Sequence, residues 1–160
     1  MSRISIYTDG AARGNPGPGG YGIVLEYQGK TKELTEGFRL TTNNRMELLA
    51  VIVGLEQIKN SKHQIIIYSD SKYVIDAVNQ KWVFGWEKNN YRKKKNADLW
   101  KRFLKVYRNH KIELQWIKGH SGHVQNERCD YLAVQSSNSS TLQIDKEYEL
   151  INKSQQSLFD

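Results

Sequence analysis

Ile65-Ile66-Ile67-Tyr68 is an uninterrupted apolar run, too short for a helix and rich in β-formers. Such a run marks a central strand covered on both faces. Covering both faces takes helices, and the neighbouring segments supply them. Residues 46–58 (MELLAVIVGLEQI) are apolar nearly all round, as a helix buried on a sheet must be, despite Gly54. Residues 71–79 read as a second helix. Residues 97–109 read as a third, with Leu99, Trp100, Phe103, Leu104 and Tyr107 on its apolar side, and residues 125–135 as a last one. Ile4-Ser5-Ile6-Tyr7-Thr8 alternates like a strand that closes at Asp9. Residues 21–27 and 30–40 read as two more strands turning at Gln28-Gly29, and residues 112–116 as the last. Between the first two strands, GAARGNPGPGG (residues 10–20) holds both prolines and five of the twelve glycines, which reads as a loop. The first three strands can pair through short turns, whereas the later two arrive by helical crossovers and should lie parallel. The expected fold class is α/β, a mixed five-stranded sheet of three antiparallel and two parallel strands with helices packed on it.

At 160 residues the chain has the length of one domain. We place that domain at residues 1–135. Residues 136–160 hold six serines and a net charge of −2, and read as a flexible or partly docked tail. No stretch approaches the ~20 apolar residues of a membrane span. The start runs straight into a strand pattern instead of a secretory leader, so a cytoplasmic location is expected. A single cysteine, Cys129, excludes an intramolecular disulfide framework and a thiolate zinc cluster. Every strong apolar run has a core to enter, so a monomer is expected.

Charge is concentrated in one place. Residues 81–108 carry ten basic side chains against Glu87 and Asp98, a local +8 in a chain of net +7. Aromatics interleave with them, among them Trp82 and Trp86, and Arg92-Lys93-Lys94-Lys95 is a continuous run. Cations attract phosphates and aromatic faces stack on sugars or bases, so this segment reads as a nucleic-acid surface. The alternative is a solvated basic helix face over core aromatics.

Two familiar phosphate motifs are absent. Gly17 to Gly22 matches G-x-G-x-x-G, but a strand pattern follows where a dinucleotide loop needs a helix start. There is also no GK[ST].

Four acids stand at element ends. Asp9 and Asp70 close strands that should be adjacent and parallel, so both emerge at the carboxyl edge, where open α/β sheets bind ligands. Glu47 sits near the start of the long helix and Asp130 on the last one. Each has an ordinary structural reading: a turn at Asp9-Gly10, a capping box from Asn44 to Glu47, a helix cap at Asp70, a solvated face at Asp130. Taken jointly, converging carboxylates repel unless a cation neutralises them. An all-oxygen cluster suits Mg²⁺ or Mn²⁺, and a pair of such ions clamps in-line displacement at phosphorus. A basic aromatic surface in the same domain would bring the phosphates.

TDGAARGNPGPGGYG, TTNNRMELLA, YSDSKYV, IKGHSGH and NERCDYLA occur in this order, and over about residues 4–135 the chain resembles the bacterial ribonuclease HI family. The resemblance implies an endoribonuclease that hydrolyses the RNA strand of RNA/DNA hybrids, leaving 3′-hydroxyl and 5′-phosphate ends. It implies that Asp9, Glu47, Asp70 and Asp130 hold two Mg²⁺ ions with substrate, Mn²⁺ substituting, and that no small-molecule cofactor is used. His120 resembles the mobile-loop histidine that assists proton transfer, while His123 reads as structural and His63 and His110 as surface residues. Gly14, Asn15, Asn43 and Asn44 resemble contacts to the 2′-OH row or the neighbouring backbone, and the 2′-OH is what tells RNA from DNA. Thr42 with Asn44 at a helix start suits a DNA phosphate. Trp82 resembles an aromatic that packs on the DNA sugar. Trp86, Lys93, Lys94 and Lys95 belong to a basic protrusion that is shorter than in the best-known members. Lys72 stands where glutamine is common, trading a base-edge contact for a phosphate. Arg13 stands where a smaller residue is usual, adding a backbone contact. The competing reading is a catalytically silent hybrid-binding module of the same fold.

Overall fold

The computed structural model describes residues 2–60 and 62–157. The spine of its sheet is β1 (Arg3–Ala12), which pairs antiparallel with β2 (Gly17–Tyr27) on one side and parallel with β4 (Gln64–Ser69) on the other. β3 (Lys30–Thr41) extends the sheet beyond β2, and β5 (Lys111–Trp116) lies parallel to β4. The order is β3-β2-β1-β4-β5, the mixed five-stranded sheet expected. Between and after the strands lie α1 (Asn43–Glu56), α2 (Lys72–Asn79), α3 (Trp82–Lys88), α4 (Ala97–Tyr107), α5 (Val124–Ser137) and α6 (Lys146–Ser157). Among the described residues no helix is long and apolar enough to cross a membrane.

The main core lies on one face of the sheet. Ile6 and Ile23 from the strands meet Met46, Leu48, Ile52 and Leu55 of α1, and Trp100 and Phe103 of α4 close the layer. α1 is buried on nearly every side, which is why its sequence shows no polar stripe. The opposite face is covered by α5, where Tyr7, Val24 and Cys129 form a smaller cluster. α5 comes so close that a Cβ on Gly22 would collide with the Cys129 carbonyl. Close approach therefore accounts for this glycine inside a strand.

That packing corrects several boundaries. The first strand does not close at Asp9, because its pairing with β2 continues from Asp9↔Gly22 to Ala12↔Gly19. The glycine-rich loop shrinks to residues 13–16. No helix follows Gly22, so the rejected dinucleotide reading stays rejected. Residues 82–88, which carry no expectation of their own, form α3 around buried Val83. His63 and His110 are half-buried, not surface residues: His63 bonds the Ser2 hydroxyl and its ring meets Tyr27 edge-on.

The expected boundary at residue 135 is too early, since α5 runs to Ser137, and the following segment is docked, not flexible. Gln143 pairs with the edge of β3 through Arg39 N–H to its carbonyl (3.0 Å) and its own N–H to Gly37 O (2.8 Å). Arg39 grips Glu149 with two bonds. Asp145 is buried, accepting from Thr41 Oγ1 (2.8 Å) and from Arg45 Nε (2.7 Å) and Nη2 (2.9 Å). The same Arg45, 2% exposed, donates to both oxygens of Asp98 (2.9 and 2.8 Å). One guanidinium thus ties α1, α4 and the C-terminal segment together. Residues 158–160 of the expected tail lie outside the described residues.

Removing one member of a buried ion cluster strands the others, at a cost of about 3–5 kcal/mol. Arg45→Ala should lower unfolding stability by about that much, read as a shifted urea midpoint. Burial alone would raise the Asp98 carboxyl, but the Arg45 bonds and charge outweigh it and hold Asp98 below its ordinary value. Its contribution is therefore present above the ordinary aspartate pKa of about 4 and lost as pH falls through the folded value. The wild type should lose more stability below about pH 4 than Arg45→Met does. Parallel acid profiles would contradict this.

Candidate active site

Asp9 follows Thr8, the last β1 residue paired with β4, and Asp70 follows its partner Ser69 at the end of β4. Their parallel pairing places both at the same end of the sheet. Glu47 reaches them from the first turns of α1. The approach depends on Gly10: a Cβ there would collide with the Met46 carbonyl carbon and the Glu47 amide nitrogen. Without one, the Gly10 N–H donates to both Asp9 Oδ1 (2.9 Å) and Glu47 Oε1 (3.2 Å). One carboxylate oxygen from each of Asp9, Glu47 and Asp70 then lies within 4.8 Å of the other two.

None of the three acids serves its ordinary structural role. Thr42 caps α1, accepting from Arg45 N–H (3.3 Å), so no capping box forms at Asn44. Ser71 caps α2, accepting from Val74 N–H (3.3 Å), so Asp70 is not a cap. Asp9 sits in a strand, not a turn. Asp130 on α5 is half-buried and lines the same cleft of about 430 Å³, as does exposed His120 from the loop after β5. Asp130 is not part of the 4.8 Å triad; it faces the cluster from the opposite layer.

Burial dominates the electrostatics. It pushes the Asp9 carboxyl up to about 7, assisted by the charge of Asp70. Glu47 is raised well above the carboxylate range, first by burial and then by Asp9, and burial also raises Asp70. Asp9 and Glu47 therefore titrate as a pair, both raised first by burial. Glu47 Oε2 is buried with no hydrogen-bond partner among the described residues. A buried acceptor left open inside a cluster of raised carboxyls fits a hard cation bound through oxygen.

The surrounding residues divide into those that meet the cleft and those that do not. Asn43, Asn44 and Lys72 line it. Asn15 Oδ1 accepts from Asn43 N–H and Asn43 Oδ1 from Ala12 N–H (both 3.1 Å), pinning the loop that holds Gly14 to the start of α1. Lys94 and Lys95 share a neighbouring groove with Asn15, Thr42 and Asn44. Lys93 faces a separate hollow beside Asn89 and Arg92. Trp82 is 52% exposed. Trp86, expected on the protrusion, is instead half-buried, packing edge-on against core Trp100 with Lys94 over its ring. Arg13, expected to reach a nucleic-acid backbone, donates to the Ser137 carbonyl at the end of α5 (3.2 Å). His123 is structural as expected: its Nδ1 caps α5, accepting from Asn126 N–H (3.4 Å), and its ring lies against Tyr7.

The sequence reading missed four contributors. Gly10 supplies the shared N–H. Trp116 donates from its indole to the Asp70 carbonyl (3.0 Å) and lies under Lys72. Tyr73 lines the cleft and accepts from Asn96 and Trp100 (3.0 Å each). Arg45 had a signal, a lone arginine against an otherwise apolar helix, but it fell one residue outside the expected helix start.

The model of the RNase H family matches residues 1–138. The chain is 50% identical over 150 residues to the Ribonuclease H of Desulforamulus reducens, covering 91% of this chain and 94% of that protein. Its fold is similar to that of a type 1 RNase H with the type 2 active-site motif (TM-score 0.78, 30% identity, 88% of this chain and 74% of that one). It is also similar to LC11-RNase H1, solved in complex with an RNA/DNA hybrid (TM-score 0.63, 26% identity, 84% and 96%).

A carboxyl raised to about 7 lets the folded protein hold a proton that the unfolded chain releases near pH 4. Stability conferred in this way is present below pH 4 and lost as pH rises towards 7. In EDTA, wild-type thermal stability should therefore fall across that window more than that of Asp9→Asn. Mg²⁺ at pH 8 should raise the wild-type melting temperature by binding the folded state alone. Profiles of equal slope would refute the charge repulsion.

Proposed function

The chain belongs to the RNase H family, a family of endonuclease hydrolases, and from that premise we propose that it cleaves the RNA strand of RNA/DNA hybrids, with 3′-hydroxyl and 5′-phosphate products, as a cytoplasmic monomer. The observation that carries the reading is the buried Asp9–Glu47–Asp70 cluster with its open Glu47 oxygen, set beside a lysine-lined groove. These three acids, with Asp130 facing them, would hold two Mg²⁺ ions, Mn²⁺ substituting. Such a pair supplies an activated water and charge stabilisation at the leaving oxygen.

The chain's own groups do the rest. Asn15 and Asn43 spend their carbonyl oxygens on backbone N–H groups, which leaves their amide N–H₂ groups as donors to a 2′-OH row. Gly14, which precedes Asn15 in the loop, lets backbone approach the minor groove. Thr42, Asn44, Lys94 and Lys95 meet a phosphate of the DNA strand, and exposed Trp82 packs on its sugar. Lys72, over Trp116, meets a phosphate near the cleft. His120 stands at the cleft mouth, free to take a proton from the attacking side and release it with product.

A cleavage assay on RNA/DNA, RNA/RNA, DNA/DNA and single-stranded RNA, with Mg²⁺ or EDTA, tests this. The expected result is metal-dependent cutting of the hybrid's RNA strand alone, lost in Asp9→Asn. Tight hybrid binding without cutting in any metal would favour the silent module. Replacing Lys94 and Lys95 with alanine should raise KM and flatten the salt dependence by about one unit per lost phosphate contact at most. Lys93→Ala should do less, since it faces another hollow.

A further inference from the structure

The groove beside the carboxylate cleft has a third wall. Asn44 lines both cavities, so the two are adjacent. On one side of the groove stand Asn15 and Thr42, and on another Lys94, Lys95 and Lys101. The remaining wall is α6, through Glu147, Tyr148, Ile151 and Gln155. The groove has a volume of about 610 Å³.

α6 is fixed in this position. Its first turn hangs from Asp145, whose carboxylate accepts from Tyr148 N–H (3.4 Å) while holding buried Arg45, one residue from Asn44. Arg45 also lies over the Tyr148 ring, 5.9 Å from its centre. The Arg39–Glu149 pair and the Gln143 bridge to β3 add two further attachments on another side. Among the described residues, by contrast, no cation pairs with Glu147. Its carboxylate therefore lines the groove without a close ion pair, across from three lysines that favour phosphate.

We propose that α6 is the outer wall of the channel for the DNA strand, and that Glu147 is a specificity residue that weakens backbone binding and so limits residence on the hybrid. This rests on the hybrid-cleaving reading above. A phosphodiester strand leaving the Thr42–Asn44 site along the groove passes Ile151 and Gln155. On that path an unpaired carboxylate opposes phosphate binding and reduces the net count of cations released to salt.

The test uses the full chain. First, p-benzoylphenylalanine is placed at Ile151, and at Trp82 as a positive control, in an Asp9→Asn background, with each hybrid strand labelled in turn. The expected adduct from position 151 is on the DNA strand. Second, Glu147→Gln should lower KM about threefold at low salt and steepen the salt slope by about 0.9, with kcat unchanged. Glu113→Gln, on the exposed face of β5, controls for net charge and should change neither. No adduct from position 151 while position 82 crosslinks, or identical effects of Glu147→Gln and Glu113→Gln, would overturn the proposal. An RNA-strand adduct would overturn the strand assignment. No cleavage by the wild type and no adduct from either position would overturn the hybrid reading itself, and this proposal with it.

Discussion

Three carboxylates held within a few ångströms of one another in a poorly hydrated cleft repel, and the fold has to hold them against that repulsion. It does so with backbone. Asp9 and Asp70 are placed by parallel strands whose register is set by six of the ten residues of β1, and Glu47 is carried by a helix buried on nearly every side. Gly10 removes the one atom that would keep that helix from the sheet, and its N–H binds two of the three acids. Because the elements are rigid, burial and, after it, the repulsion appear as raised carboxyl pKa values instead of as splayed side chains.

α1 carries two buried charge clusters two residues apart. Positions i and i+2 of a helix point to different sides, so Arg45 and Glu47 meet different neighbours. Arg45 is satisfied inside the chain, by Asp98 and Asp145. Glu47 keeps an open oxygen. The first cluster is closed and makes structure. The second is open and would take its counter-charge from a bound cation. The closed cluster also supports the start of the helix on which Asn43, Asn44 and Glu47 stand, so the residues proposed to touch substrate and the acid cluster share one support.

Local chemistry made much of this legible before any coordinates. Parallel strands and a helix start were enough to bring Asp9, Asp70 and Glu47 to one edge, although β1 runs on past Asp9, and the family resemblance added Asp130 from α5. What escaped depends on contacts distant in sequence. Glycine and proline in residues 10–20 read as breakers, but most of those residues belong to β1 and β2, where the close passage of α1 at Gly10 and of α5 at Gly20 requires glycine. Trp86 and Arg13 carry the right chemistry for nucleic acid, yet a core tryptophan and a helix end claim them first. The docking of residues 141–149 turns on one arginine a hundred positions away, and a polar, serine-rich composition gives no sign of it.

The ion cluster on Arg45 also has an order in time. Its two acids lie 53 and 100 residues downstream, and chains emerge from the ribosome from the N-terminus. While α1 is already available to pack on the early strands, its arginine has no acid to meet until residue 98 appears, and its second acid arrives only with residue 145. A nascent chain holding residues up to 138 therefore contains every acid of the cleft while the ion cluster that supports the start of α1 is still incomplete. Completion of that support is deferred to the last stretch of synthesis, so the helix-start edge of the cleft is finished after its acids are in place.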